Sequence, residues 1–138
     1  MNSRSQGQLG EMEAARYLRS IGYDIAASNY RCRFGELDIV ARDGQTIVFV
    51  EVKTRSPGAA ALPREAVTRA KQQKLCRAAL HYLGQNTAVE SIRFDVIEVI
   101  IDGSFLAPAR INHIKHAFEA GEDDAFFCSS LRYDRGML

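Results

Sequence analysis

A mixed α/β domain is the fold class this chain predicts, and three observations predict it. Apolar side chains recur at helical spacing over residues 8–21 and again from residue 63 or 64 to 83. Residues 35–55, GELDIVARDGQTIVFVEVKTR, read as two β-strands joined by a tight turn at Asp43-Gly44, a dipeptide suited to positive φ in hairpins. Residues 91–101, SIRFDVIEVII, give a further long strand, ended by Asp102-Gly103. At 138 residues the chain is most simply one domain with a real core.

In chain order, the first helix puts Ala14, Ala15, Leu18 and Ile21 on one face, with Gly22 placed to end it. Glu11 falls on that same face, either as a helix N-terminal carboxylate complementing the dipole or pointing inward toward another charged site. Residues 23–27 form a short strand candidate, followed by a turn at Ser28-Asn29. After the hairpin, residues 56–63 (SPGAAALP) read as a mobile loop next to the charged strand end. The second helix opens at Pro63 or Arg64 and carries a stripe of Val67, Leu75, Ala78 and Tyr82, with Lys71 and Lys74 within or beside it. Residues 105–111 suggest another strand and 113–120 a short helix, with His81, His113 and His116 read as surface histidines. Residues 121–138 change character, with acids before a Phe126-Phe127 pair and no periodicity, as in a docking tail, a dimer contact or a disordered end.

Composition sets outer bounds. An apolar content of 46% and a charged content of 25% are those of a soluble globular protein. No apolar run approaches the ~20 residues that span a bilayer, and the N-terminal segment has no apolar core of a secretory signal. The expectation is a cytoplasmic protein with no membrane partner. Cys32, Cys76 and Cys128 are widely spaced and odd in number, against both a disulfide framework and a cysteine zinc site. The net charge of +1 hides an asymmetry: residues 31–77 hold ten Lys/Arg against five acids, whereas residues 78–138 hold five against nine. A basic segment suits a phosphate polymer, although a solvated basic surface gives the same count.

The informative misfit is charge inside the hairpin's apolar strands, at Glu36, Asp38, Glu51 and Lys53. Charges are seldom placed there unless they are paired, metal-bound or at an exposed edge. Pleat alternation puts Glu36 and Asp38 on one face of the first strand, opposite Leu37 and Ile39, and Glu51 and Lys53 on one face of the second. A two-residue loop sets Glu36 opposite Glu51 with Asp38 diagonal to it, and a four-residue loop sets Asp38 directly opposite Glu51. Either leaves Asp38, Glu51 and Lys53 on one face, unless a bulge shifts the register. Two adjacent carboxylates repel unless a cation lies between them. Carboxylate oxygens suit Mg²⁺ or Mn²⁺, which activate water and stabilise a phosphodiester in displacement. The plainer alternative is a Glu51–Lys53 salt bridge at a strand end with Asp38 capping a turn. An Asp followed by Glu-x-Lys is a short pattern that recurs by chance.

These residues carry a family resemblance. GELDIVARDG and TIVFVEVKTRS resemble the active-site hairpin of the PD-(D/E)xK nuclease superfamily, and most closely the YraN family of small bacterial proteins, which are similar to archaeal Holliday-junction resolvases. Agreement extends through GQLGEMEAARYLRSIGYDIAASNYR, REAVTRAKQQKLCRAALHYL, RFDVIEV and INHIKHAF, covering most of residues 7–120. The resemblance implies a restriction-endonuclease-like core over residues 1–120, with a central mixed β-sheet flanked by α-helices. It implies metal ligation by Asp38, Glu51 and the main-chain carbonyl of Val52, a catalytic Lys53, and Glu11 as an accessory acid. Lys71 is similar in position to a basic residue in the helix after the site, and Leu37 stands where the superfamily name has Pro.

The resulting expectation is a Mg²⁺- or Mn²⁺-dependent endonuclease on DNA, including branched DNA, with Arg31, Arg33, Arg55, Lys71 and Lys74 on the phosphate backbone. The alternative is a non-catalytic nucleic-acid-binding or adaptor protein on the same fold. Analogy with junction resolvases adds a homodimer.

Overall fold

The computed structural model describes residues 3–58, 67–84, 91–102 and 109–119. The loop beyond residue 58, the helix opening at Pro63 or Arg64, the Gly103 turn, the strand start at residue 105 and the tail of residues 121–138 with Cys128 lie outside them. The elements are α1 (Ser3–Ser20), β1 (Asp24–Cys32), β2 (Gly35–Asp43), β3 (Thr46–Arg55), α2 (Arg69–Leu83), β4 (Ser91–Ile100) and β5 (Arg110–Phe118). They form a five-stranded mixed sheet in the order β1-β2-β3-β4-β5. The β3–β4 pair is parallel and every other pair antiparallel. Parallel neighbours need a crossover connection, and α2 lies in it.

Helices cover both faces of the sheet, which is why the central strands read as continuous apolar runs. Against α1, Ala14 and Leu18 pack on Ile39, Val48, Val50, Ile97 and Val99. Against α2, Leu75, Cys76, Ala79 and Tyr82 pack on Leu37, Phe49, Phe94 and Val96. Ile21, expected on the core face of the first helix, is 42% exposed because the helix has already ended at Ser20. The N-cap of α2 is Thr68, whose hydroxyl accepts from the Lys71 amide, so the helix itself begins at Arg69.

The hairpin register follows the pairs Asp43↔Thr46 through Ile39↔Val50. The turn therefore sits on Gly44-Gln45, one residue later than Asp43-Gly44, with Gly44 at φ 61°. Of the two registers considered above, this is the one that sets Asp38 opposite Glu51. Strict alternation does not hold across Asp38, however: Leu37 joins the α2-side core and Ile39 the α1-side core.

Two further segments differ from expectation. The turn at Ser28-Asn29 is instead part of β1, which pairs with β2 on both sides of it, at Ser28↔Ile39 and Tyr30↔Leu37. Asn29 takes φ 53°, a left-handed value that Asn tolerates, so the strand kinks without leaving the ladder. The helix expected over residues 113–120 is strand β5. Its register jumps from Val96↔Ile114 to Phe94↔Phe118, so β5 bulges opposite Asp95, with His116 at φ 51°. That bulge breaks the two-residue period and made the segment resemble a helix.

Candidate active site

The site forms where β2 and β3 stop exchanging backbone hydrogen bonds and the N-terminal half of α1 crosses them. Past Ile39↔Val50 the Val52 amide donates to the Asp38 carboxylate at 2.9 Å instead of to a β2 carbonyl. That bond fixes Asp38 at the rim of the sheet beside Glu51. Glu51 is 5% exposed, held between the two helix-covered faces by its place on a central strand. Its Oε1 lies 3.5 Å from Lys53 Nζ and 3.7 Å from Lys71 Nζ, and its buried Oε2 has no hydrogen-bond partner. A polar oxygen withdrawn from water without a hydrogen-bond partner is costly and calls for a ligand.

Close contact of α1 with the sheet brings the third acid. A Cβ on Gly10 would lie 1.9 Å from Thr54 Oγ1, so only glycine lets the helix approach β3 here. The adjacent Glu11 then joins Asp38, Glu51, Val52 and Lys53 around a cleft of about 320 Å³. Glu11 also hydrogen-bonds the side chain of Asn29, which connects the β1 kink to the site.

The electrostatics follow from crowding. Burial, then the charge of Glu51, pushes Asp38 up to about 7, against the opposing Val52 hydrogen bond and the charge of Lys71. Glu11 is also raised, first by burial and then by Glu36 and Glu51, with Asn29 and Arg31 acting the other way. Near neutrality the cluster thus holds an exchangeable proton. Among the described residues no three His, Cys, Asp or Glu side chains form a ready-made metal cluster. The donors that do fit a hard cation are the Asp38 carboxylate and the orphaned Glu51 Oε2.

The basic residues named from sequence fall into two groups. Arg31 and Arg33 are exposed near the β1–β2 turn, Arg31 with its Nε 3.6 Å from Glu36 and Arg33 with its guanidinium 4.7 Å above the Phe34 ring. Lys74 is exposed on α2 next to Gly35, one helical turn from Lys71. These residues form a path from the β1–β2 turn to Glu51. Arg55, by contrast, is turned to Glu98, with Nε 2.6 Å from Oε2 and the side chain 15% exposed.

Sequence reasoning missed Asn29, Gly10, the Arg55–Glu98 pair and a second polar centre on β4. There Asp95 is fully buried and bound by Arg93 and by His113, whose side chain is 5% exposed. His113 is therefore a core histidine and not a surface one, because the Asp95 carboxylate and the Tyr17 hydroxyl give its ring nitrogens partners inside. His81 likewise bonds the Tyr30 hydroxyl.

A match to the uncharacterised protein family UPF0102 covers residues 10–99, from the close-contact glycine of α1 to the end of β4. The chain belongs to this family. The match takes in Glu11, Asp38, Glu51, Lys53 and Lys71, and UPF0102 is the YraN family that the hairpin resembles. A UPF0102 protein of Geobacter metallireducens is 46% identical over 120 residues, 86% of this chain and 96% of the relative. One from Syntrophus aciditrophicus is 50% identical over 115 residues, 82% and 87% of the two chains. One from Nocardia farcinica is 46% identical over 118 residues, 85% and 91%. No described helix is long and apolar enough to cross a membrane.

Proposed function

We propose that this chain is a divalent-metal-dependent endonuclease of the PD-(D/E)xK superfamily, acting on phosphodiesters of cytoplasmic DNA. The observation that carries the reading is the meeting of Asp38 and Glu51 at the rim of β2 and β3, with Glu51 Oε2 buried and unpartnered and Lys53 alongside. Asp38, Glu51 and the Val52 carbonyl would hold Mg²⁺ or Mn²⁺. A strand residue's N–H and C=O point to the same side, and the Val52 amide is directed at Asp38. When bound, the ion supplies Lewis acidity and a more acidic water.

The chain's own residues do the remainder. Lys53 Nζ, weakly engaged at 3.5 Å from Glu51, is free to turn to the attacking water or a phosphate oxygen. Glu11, its pKa raised first by burial, lies beside Asp38 and Glu51 where it could pass a proton to or from the reacting groups. Arg31, Arg33, Lys71 and Lys74 line the approach and neutralise the backbone, while Arg55, paired to Glu98, orders the strand end beyond Lys53. Two chains acting together would suit a symmetric four-way junction.

A second reading, a DNA-binding adaptor without catalysis, draws on one observation. Lys53 and Lys71 both lie by Glu51 Oε1 and neutralise it without a metal. Incubation of wild type and Glu51→Ala with linear, flapped and four-way DNA in Mg²⁺ or Mn²⁺ separates the two. The nuclease reading requires cleavage by wild type that the variant loses. Salt-sensitive binding without cleavage in either metal supports the adaptor.

A further inference from the structure

An open groove of about 620 Å³ runs between α1 and the edge strand β1, and it ends at the carboxylate site. Glu11 and Asp38 line one end, Arg16 and Arg19 the other, and Met12 and Ala15 the helix side between. Met12 is 66% exposed, and only Met12 and Ile21 are large apolar residues so exposed among the described residues. Arg16 has its side chain 79% exposed, with only a loose 3.8 Å approach to Glu13. The guanidinium end is thus open to an anion, and the middle offers an apolar surface in water.

The order of chemistries selects an occupant. From Glu11 to Arg19 the helix advances ~12 Å at ~1.5 Å per residue. Phosphates recur every ~3.4 Å along the axis of a duplex and farther apart on an extended single strand, so the groove spans at most about three of them. An apolar middle between an anion-binding end and a phosphodiester-cleaving end fits a polymer with stacking bases and repeated anions. Its volume lies within the ~300–1,000 Å³ that encloses small molecules. That is room for a few nucleotides of a single strand lying along α1.

We propose that this groove receives one unpaired nucleic-acid strand, with bases against Met12 and Ala15 and phosphates at Arg16 and Arg19, and feeds it to Asp38 and Glu51. The substrate class is then DNA with a single-stranded arm beside the scissile phosphate. This rests on the nuclease reading, so binding is measured apart from cleavage.

The test is fluorescence anisotropy of the full chain in EDTA, with a labelled single strand, a blunt duplex and a duplex bearing a single-stranded arm. Wild type should bind the armed duplex several-fold more tightly than the blunt one. In Arg16→Glu/Arg19→Glu that advantage should vanish, the blunt-duplex affinity should stay, and the salt slope on the arm should fall by about two. Met12→Ser should weaken the arm without changing the salt slope. Both arginines are exposed, and an unchanged circular dichroism spectrum confirms the fold. Equal binding of blunt and armed duplexes by wild type, or an advantage that persists in the double variant, overturns the proposal. The second result is also the one expected if the groove holds a protein segment. Absence of binding to any oligonucleotide overturns this inference and the nuclease reading together. Arm preference without metal-dependent cleavage overturns only the nuclease reading.

Discussion

Asp38 with Glu51 and Asp95 with its partners are two ways of putting carboxylates into one sheet, about the same β3–β4 centre. Asp95 has no exposure, yet Arg93 Nε and Nη2 donate at 2.8 and 3.0 Å, His113 bonds at 2.7 Å and the His116 amide at 3.2 Å. Burial pushes its pKa up, but the hydrogen bonds from His113 and Arg93 outweigh it and the net shift is downward. At the other centre Asp38 takes the Val52 amide and is pushed up to about 7, and Glu51 Oε2 takes no hydrogen bond. Glu51 and Asp95 are both buried, so what separates the two centres most is the number of donors supplied. A fully satisfied network serves the fold, whereas an undersupplied one open to a cleft has the chemistry to take a ligand.

The largest effect should come from breaking the satisfied centre. Asp95→Ala strands Arg93 and His113 in the interior and should cost about 3–5 kcal/mol in urea unfolding, as removal of one partner from a buried ion pair does. An effect no larger than that of a surface substitution would mean the network is ornamental. Next, Gly10→Ala drives a methyl into Thr54 Oγ1 and should cost ~1–3 kcal/mol by overpacking. Adding Thr54→Ala should recover most of that loss, since the nearest remaining Thr54 atom, Cβ, is at 3.1 Å. A strictly additive double variant would show that the helix contact lies elsewhere.

The pH dependence of the two centres should have opposite signs. With a folded pKa of about 7 against 3.8 for the ordinary group, Asp38 holds more proton in the native than in the unfolded state between those values. Stability of the metal-free protein should therefore fall as pH rises through that window, by up to ~1.4 kcal/mol per pH unit from this group. Asp38→Asn should flatten the curve there and raise the melting temperature at neutral pH. Asp95 has its pKa lowered below 3.8, so its contribution is in place above that value and is lost only as acid protonates it at its lower folded pKa. A wild-type profile flat from pH 4 to 7 would remove the basis for a crowded carboxylate pair. The smallest effect is expected at Arg31→Ala, within about 0.5 kcal/mol in stability because its pair with Glu36 is exposed, while the salt slope of DNA binding drops by about one.

Much of this contrast was legible in the sequence, and unevenly so. The charges in GELDIV and FVEVK stand out against an apolar pattern, and pleat arithmetic predicts that Asp38, Glu51 and Lys53 meet, although the alternation it assumes breaks at Asp38, where Leu37 and Ile39 face opposite cores. The same misfit was present in RFDVIEV at Asp95 and Glu98, and it is the signal that would have found the second centre. What the sequence could not supply was the partner list: Tyr17, Tyr23 and His113 meet this network from sites 96 and 70 residues apart in hydrogen-bonded pairs, a consequence of tertiary packing. The β1 kink at Asn29 and the β5 bulge were hidden for a different reason. Each locally breaks the two-residue period, and a broken period reads as a turn or a helix. Gly10 was silent because its neighbour is Thr54, on an element chosen by the sheet.

The most direct test of the central claim, that the undersupplied carboxylates are a cation site, is calorimetric titration of Mn²⁺ into the metal-free protein near pH 6.5 in buffers of different ionisation enthalpy. The account predicts saturable binding with a buffer-dependent heat, because Asp38 must release its proton to the buffer as the ion enters. It also predicts that Glu51→Gln abolishes this binding while remaining folded. Absence of saturable binding in wild type, or unchanged binding in Glu51→Gln, would contradict it.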